Sequence, residues 1–440
     1  MRMNGRHWRV GAVLVVVGCV WLAGCSGEAP PEGDLGPWTG AVGSTGAVVM
    51  ARVESLDTVR LLIRAEGGGE HAWQDAGAVR AVDQADRVVR FEVSGLEPDR
   101  GYELALTGGT AAEAVLRGRF RTFPSEGAPA RFRFTFASCQ RTGSDHAVHD
   151  AIAREKPLFH LITGDFHYED IDRPDASLFA AAYARNFGSA SQSRLYAQVP
   201  LVYIWDDHDF TGNNSHGGSA ARSTVRELYR RWIPHYPLAA GGPDASIQQA
   251  FTVGRVRFLL TDLRSERDPH RTDDHPGKTM LGAAQKQWLQ EELRAAAGRY
   301  GLVVWVSSVP WIAAASPRAD HWGGFAHERA EVAAMLSGAG LPPVLILSGD
   351  SHMLAADDGS NSRYGPAGSR AIPVFAAAPL DKGASDKGGT YSAGKYLVRR
   401  GEGAYGLMEI EDDGRAIVVR FRGRTHTGET RISLEHRFEP

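Results

Sequence analysis

Four short phrases place potential metal ligands immediately beyond apolar runs. In FASCQ, Phe136 leads to Cys139; in GDFHYED, His160 to Thr163 leads to Asp165 and Tyr168. In IWDDHDF, Leu201 to Trp205 leads to Asp207 and His208; in LSGDSHM, Val344 to Ser348 leads to Asp350 and His352. Carboxylates, imidazoles, a thiol and a phenol at strand ends suit hydrolysis with bound cations. Clustered cations can draw a nucleophile from water and shield the charge of a phosphoryl group. One Asp can bridge two cations, and Asp165 is the bridging candidate.

Each phrase also has a plainer reading. Gly164-Asp165 after a strand is commonly an ordinary turn, and Tyr168 can be a packed aromatic. Asp350 and His352, two apart, share one side of an extended segment, which suits paired ligation and equally a hydrogen-bonded structural histidine. WDDHD is the stronger signal, because three acids and a histidine directly after an apolar run repel one another unless cations absorb the charge. Cys139 is the one cysteine in the body of the chain, so no intrachain disulfide is expected there. It is either a buried, inert thiol or a ligand.

These phrases must be carried by a fold, and 440 residues exceed what one core usually serves. Arg2, Arg6 and Arg9 precede an apolar stretch from Val10 to Leu22 that is too short for a comfortable membrane span. It ends in Leu22, Ala23, Gly24 and Cys25, which resembles a bacterial lipobox; the alternative is an uncleaved anchor. We therefore expect a leader over 1–24, lipidation at Cys25 and a small, polar, Pro-rich tether over 25–36. Either version tethers the body to a membrane, facing the periplasm or the exterior.

From 37 to 124, short alternating strands such as Val48 to Val53, Thr58 to Arg64, Arg87 to Val93 and Tyr102 to Leu106 read as a small β-sandwich. GLEPDRGYEL resembles the tyrosine corner of fibronectin type III and related immunoglobulin-like sandwiches, making Tyr102 structural. Pro124 to Pro129 punctuates the chain. From 131 to 440, β-branched and aromatic runs alternate with helical patterns, as in an α/β layered domain with sheets flanked by helices. One helical stripe over Gly282 to Gly298 carries Trp288, Leu289 and Leu293. The ending RISLEHRFEP reads as a strand. With 49 Lys plus Arg against 52 Asp plus Glu there is no basic footprint for a nucleic-acid polymer.

Taken together the phrases resemble the PhoD-like alkaline phosphatases, within the metallophosphoesterases. The likeness covers FASC, GDxxY, WDDHD with Asn213 following, a DxRxxR phrase at Asp262, Arg264 and Arg267, and SGDxH, in order. RADHWGGF around Asp320, Trp322 and Gly324 also looks like a family segment. The resemblance implies ferric iron with calcium: Cys139, Asp165 and Tyr168 would hold iron, while Asp165, Asp207, Asn213, Asp350 and His352 would complete the cluster. Other divalent metals fit the spacing too. His208 would assist the leaving oxygen as the catalytic residue, and Arg264 and Arg267 would grip phosphate.

Two departures stand out: Arg6, His7, Trp8 and Arg9 lack the adjacent arginine pair of twin-arginine export, and His167 is an added group in GDFHYED. The first expectation is a monomeric, lipid-anchored enzyme acting on small phosphate monoesters or diesters. The alternatives are a phosphodiesterase of the phospholipase kind acting on membrane lipids, and a non-catalytic surface binding module.

Overall fold

The computed structural model describes residues 32–54, 58–80, 86–108, 114–238 and 241–439. The expected leader, Cys25 and most of the expected tether lie outside the described residues. Among those residues no helix is long and apolar enough to cross a membrane.

Two large sheets form the frame. One has nine strands in the order Thr430–Phe438, Ile417–Thr425, Ala404–Asp412, Arg131–Ala137, His160–Thr163, Leu201–Ile204, Leu35–Gly40, Gly46–Arg52 and Val88–Ser94. The other has seven: Gln249–Val253, Val256–Leu260, Leu302–Ser307, Val344–Ser348, Val374–Ala377, Leu354–Asp357 and Lys395–Tyr396. Both are mixed, with a parallel centre. Arg131–Ala137, His160–Thr163 and Leu201–Ile204 run parallel in the first. In the second, Val256–Leu260, Leu302–Ser307, Val344–Ser348 and Val374–Ala377 do so.

The continuous apolar character of these central strands follows from burial on both faces. In Leu302–Ser307 every residue is buried. Leu302, Val304 and Val306 join the core between the two sheets, whereas Val303 and Trp305 face the opposite way into a second core. Aromatic rings lock the inter-sheet layer: Phe134 meets Phe258 edge-on at 5.4 Å between centroids, and Phe375 stacks on Phe421 at 4.9 Å. The second core belongs to the outer face, where Leu289 and Leu293 of the helix Gly282–Ala296 pack with Val332 and Leu336 of Ala326–Leu336. The Leu289/Leu293 stripe is the one the sequence predicts. The ending is a strand over Thr430–Phe438, also as expected.

The amino-terminal part is all-β, and its strands fall close to the expected runs. Tyr102 is buried and its hydroxyl accepts the Glu97 amide at 2.8 Å, a backbone cap. The expected sandwich over 37–124 is not self-contained, however. Gln74–Arg80, Thr58–Ala65, Gly101–Gly108 and Ala114–Arg121 form a separate four-stranded sheet. Leu35–Gly40, Gly46–Arg52 and Val88–Ser94 instead extend the nine-stranded sheet, through Gly40 paired with Leu201. The joint is a single residue pair at the start of Leu201–Ile204, so the layer meets that strand's open edge only at its first residue.

Candidate metal centre

Each ligand phrase follows the carboxyl end of a central parallel strand, the position where open α/β sheets gather their ligands. The two sheets bring these ends together. The Cys139 sulfur, an Asp165 oxygen, an Asp350 oxygen and a His352 nitrogen all lie within 4.8 Å of one another, and Asp165, Asp207 and His208 form a second such group sharing Asp165. The bridging position expected for Asp165 is thus where the two groups meet.

The backbone is bent to achieve this. Cys139, Asp165, Asp350 and His352 are all non-glycine residues with positive φ, at 61°, 56°, 52° and 51°. Such conformations cost on the order of 1–3 kcal/mol each and persist where surrounding structure enforces them. Gly164 and Gly349, which precede the two aspartates, have no room for a side chain: a Cβ would overlap Asp206 at the first and the Thr163 carbonyl at the second. Gly164 is therefore a close-approach point between neighbouring strand ends of one sheet, and Gly349 one between the two sheets.

Hydrogen bonds fix how the side chains face. Tyr168 donates its hydroxyl to Asp165 Oδ2 at 2.7 Å, and its oxygen lies 3.4 Å from His352 Nε2. The Gly383 carbonyl can only accept, so His352 donates from Nδ1 at 2.5 Å and leaves the Nε2 lone pair facing the cluster. The Ser138 hydroxyl lies 3.2 Å from the Cys139 sulfur and accepts the Asp350 amide at 3.0 Å, joining the two sheets. Asp207 accepts the amides of His208 at 2.9 Å and Asn214 at 2.7 Å. His208 stacks on Tyr168 at 3.9 Å and gives Nδ1–H to Asp170 Oδ1 at 2.6 Å.

Charge is unbalanced here. Asp165 is fully buried, and its Oδ1 meets no donor among the described residues. Burial, then the neighbouring Asp207, Asp206, Asp209 and Asp350, push its carboxyl far above the usual range. Burial and the Asp165 and Asp350 charges likewise raise the Cys139 thiol, and burial with Asp165 raises the Tyr168 phenol. Burial pushes Asp350 up to about 6 despite Lys387, whose ammonium donates to its Oδ1 at 2.6 Å. Burial also opposes ionisation of Asp207, but Arg264, His208 and the Asn214 amide outweigh it and hold this carboxyl well below the usual range. His208 is raised: burial opposes the charged ring, while the Asp170 hydrogen bond and the Asp207 charge favour it.

The donor set fits cations. The first group offers sulfur, phenol, carboxylate and imidazole, suited to a transition metal; the second is richer in hard oxygen. Every ligand expected from sequence is drawn in except Asn213, whose side chain is exposed and whose amide donates to Asp170 at 3.0 Å. The next residue, Asn214, has a positive φ of 56°, and its backbone amide donates to Asp207 instead.

The expected phosphate grip by Arg264 and Arg267 also gives way to another placement. Arg264 is fully buried, with Nε on Asp206 Oδ1 at 2.7 Å, Nη2 on Asp320 Oδ2 at 3.0 Å and Nη1 on the Ser215 carbonyl at 3.3 Å. Arg267 is buried over the Phe325 ring and donates to Asp320 Oδ1 at 2.6 Å. Both arginines are committed to acids behind the site, and Arg264 also reaches Asp207 Oδ2 at 3.9 Å. His167, flagged as an added group, is buried against Tyr183 with neither ring nitrogen hydrogen-bonded among the described residues. Burial lowers its pKa to about 3, so it is neutral.

Sequence reasoning missed Ser138, Asp170, Lys382 and Lys387. Asp170 sits in the same GDFHYED phrase, two residues past Tyr168, and its acidity was the available signal. Nothing in the spacing marks the lysines, which arrive from a loop far along the chain.

A family model described as PhoD-like phosphatase matches residues 134–426. The chain is 27% identical over 314 residues to alkaline phosphatase D of Bacillus subtilis (strain 168), covering 60% of this chain and 53% of that protein. It thus spans about half the length of that curated relative. Among solved structures it is similar to one described as the structure of PhoD, with a TM-score of 0.72, 20% identity, and coverage of 92% of this chain and 90% of the other. It is also similar to a purple acid phosphatase from yellow lupin (Lupinus luteus) seeds, with a TM-score of 0.62, 12% identity, and coverage of 92% and 74%.

Proposed function

The chain belongs to the PhoD-like phosphatase family, and on that footing we propose that it hydrolyses phosphate esters at a metal centre held by Cys139, Asp165, Tyr168, Asp207, Asp350 and His352. The observation that carries this reading is Asp165, a fully buried carboxylate with one oxygen lacking any donor among the described residues, ringed by Asp207, Asp350 and Cys139. A chain that buries such a charge without a partner pays several kcal/mol unless a cation sits beside it.

Bound cations would supply charge shielding for the phosphoryl group and a water activated for attack. The chain's own groups prepare that step. Asp165 is shared between the two ligand groups and held by Tyr168; Asp207 is aimed by two amides. Asp170 anchors His208 through Nδ1, so the protonated ring keeps Nε2–H to give to the leaving oxygen, and the Asp170 contact favours that charged form. The family resemblance implies ferric iron in the first group, whose sulfur and phenol donors suit a transition metal, and calcium in the second, whose oxygens suit a hard cation.

The arginine-led apolar leader and the Leu22-to-Cys25 phrase support a lipid-anchored protein facing the periplasm or exterior. The name of the Bacillus subtilis relative supports monoesters, while a membrane anchor would favour lipid phosphodiesters by proximity. Elemental analysis combined with hydrolysis of nitrophenyl phosphate and bis-nitrophenyl phosphate tests the reading. Cys139→Ala and Asp165→Ala are expected to lose bound metal and at least ~10³-fold in turnover. Wild-type metal content and turnover in both variants would overturn it.

A further inference from the structure

We infer that Lys387 and Lys382 form the cationic grip on the phosphoryl group and select dianionic phosphate monoesters over diesters; this rests on the phosphoesterase reading above. The inference begins from which positive charges are free to meet a substrate. Arg264 and Arg267 are buried and committed to Asp206 and Asp320. His208 is tied to Asp170. The remaining cations at the cluster come from one loop: Lys387, with its ammonium 2.6 Å from Asp350 Oδ1, and Lys382, with its ammonium 3.7 Å from the Tyr168 ring centroid. Lys382 has no carboxylate within ion-pair distance among the described residues, so its charge is available.

The loop is fixed where it matters. At its start the buried Asp381 accepts the Arg141 amide at 2.7 Å and the Ser144 hydroxyl. In its middle the Gly383 carbonyl receives His352 Nδ1–H at 2.5 Å, and the Ser385 amide donates to the His352 carbonyl at 3.3 Å. At its end the Gly389 amide donates to the Ile312 carbonyl at 2.8 Å. The anchored loop places the Lys387 ammonium beside Asp350 and the Lys382 ammonium over the Tyr168 ring, while both side chains stay partly exposed.

Lys387 is paired with a carboxylate that is itself a metal ligand. Asp350 would hold a cation, whose charge would take over from the ammonium on this carboxylate, and Lys387 would then be free to meet a phosphoryl oxygen from the same loop. A lysine binds phosphate as a point charge. A monoester dianion offers three non-ester oxygens and a second charge; a diester offers two oxygens and one charge. Two ammonium groups above bound cations match the former.

The test uses the full chain with its metals. Lys387→Ala is expected to raise KM for nitrophenyl phosphate about tenfold to hundredfold and to weaken orthophosphate binding, measured calorimetrically, by a similar factor. KM for bis-nitrophenyl phosphate is expected to change less than about threefold, with metal content unchanged. Lys387→Gln, which keeps a donor for Asp350 without the charge, is expected to match it, and Lys382→Ala to show a smaller effect of the same sign. Unchanged orthophosphate binding in Lys387→Gln with metals retained overturns the inference and leaves the phosphoesterase reading standing. Equal losses on both esters overturn the monoester selection. A metal-loaded wild type that neither binds orthophosphate nor cleaves either ester overturns both readings.

Discussion

Two groups of buried acids lie side by side in this molecule and are neutralised in opposite ways. Asp206 and Asp320 share Arg264, and Arg267 adds a second guanidinium to Asp320, so the protein supplies the countercharge itself. Asp165, Asp207 and Asp350 converge with Cys139 a few ångströms away; Arg264 reaches Asp207 only at 3.9 Å, Lys387 sends one partly exposed ammonium to Asp350, and Asp165 has no cationic partner among the described residues. The WDDHD turn contributes to both: Asp206 and Asp209 point inward, Asp209 accepting Tyr203, the Phe166 amide and the Asp206 amide, while Asp207 and His208 point at the cluster. The difference teaches that acidity alone does not mark a metal site. The mark is a buried carboxylate given neither a cation nor a full set of donors, as at Asp165; Asp209 also lacks a cation but is met by three donors.

The strongest way to break this contrast is to remove the internal cation. Arg264→Met is expected to destabilise the protein by about 3–5 kcal/mol in urea melts, because the buried Asp206 loses its guanidinium partner, while Asp320 keeps only Arg267. Wild-type stability would mean that the pair is not what balances these acids.

A smaller effect of opposite sign sharpens it. In metal-free protein at pH 8, Asp165→Asn is expected to raise stability by about 1–3 kcal/mol, since it removes a carboxylate whose ionisation the site opposes. Equal denaturation midpoints for the metal-free variant and wild type would place the uncompensated charge elsewhere.

The smallest expected effect is in the pH dependence of metal-free protein. Burial and the neighbouring acids raise Asp165 well above its ordinary value in the folded state. The native chain therefore holds more protons than the unfolded one, and stability falls as pH rises toward 8. Histidines lowered by burial, His149 to about 4 and His160 and His167 to about 3, act the other way, but only below their unfolded value near 6.5. Between about pH 6.5 and 8 the acids prevail, and Tm of metal-free protein should fall by roughly 2 °C per pH unit. A flat or rising Tm over that window would contradict the reading; metal loading should flatten the slope by favouring the ionised acids.

Much of the layered fold is legible in the chain because burial on both faces leaves an unmistakable imprint. Runs such as LVVWVS at Leu302–Ser307 can hardly be anything but central strands. The fate of the amino-terminal strands is less visible, since alternation fixes which side chains point inward but not which sheet edge a strand joins. Gly46–Arg52 and Thr58–Ala65 look alike in sequence and end in different sheets. The site divides in the same way. Cys139, Asp165, Asp207, Asp350 and His352 announce themselves because each stands just past a strand, whereas Asn213 and Asn214 are neighbours that only a backbone turn separates.

By itself the sequence determined the kinds of group available and the strand ends that present them, because apolar runs and the ligands after them are local facts. Tertiary structure alone decided the charge balance: it hid Arg264 behind the site, brought Lys387 over Asp350 and left one Asp165 oxygen without a donor. Electrostatic roles depend on distances between segments remote along the chain, and only folding sets those distances.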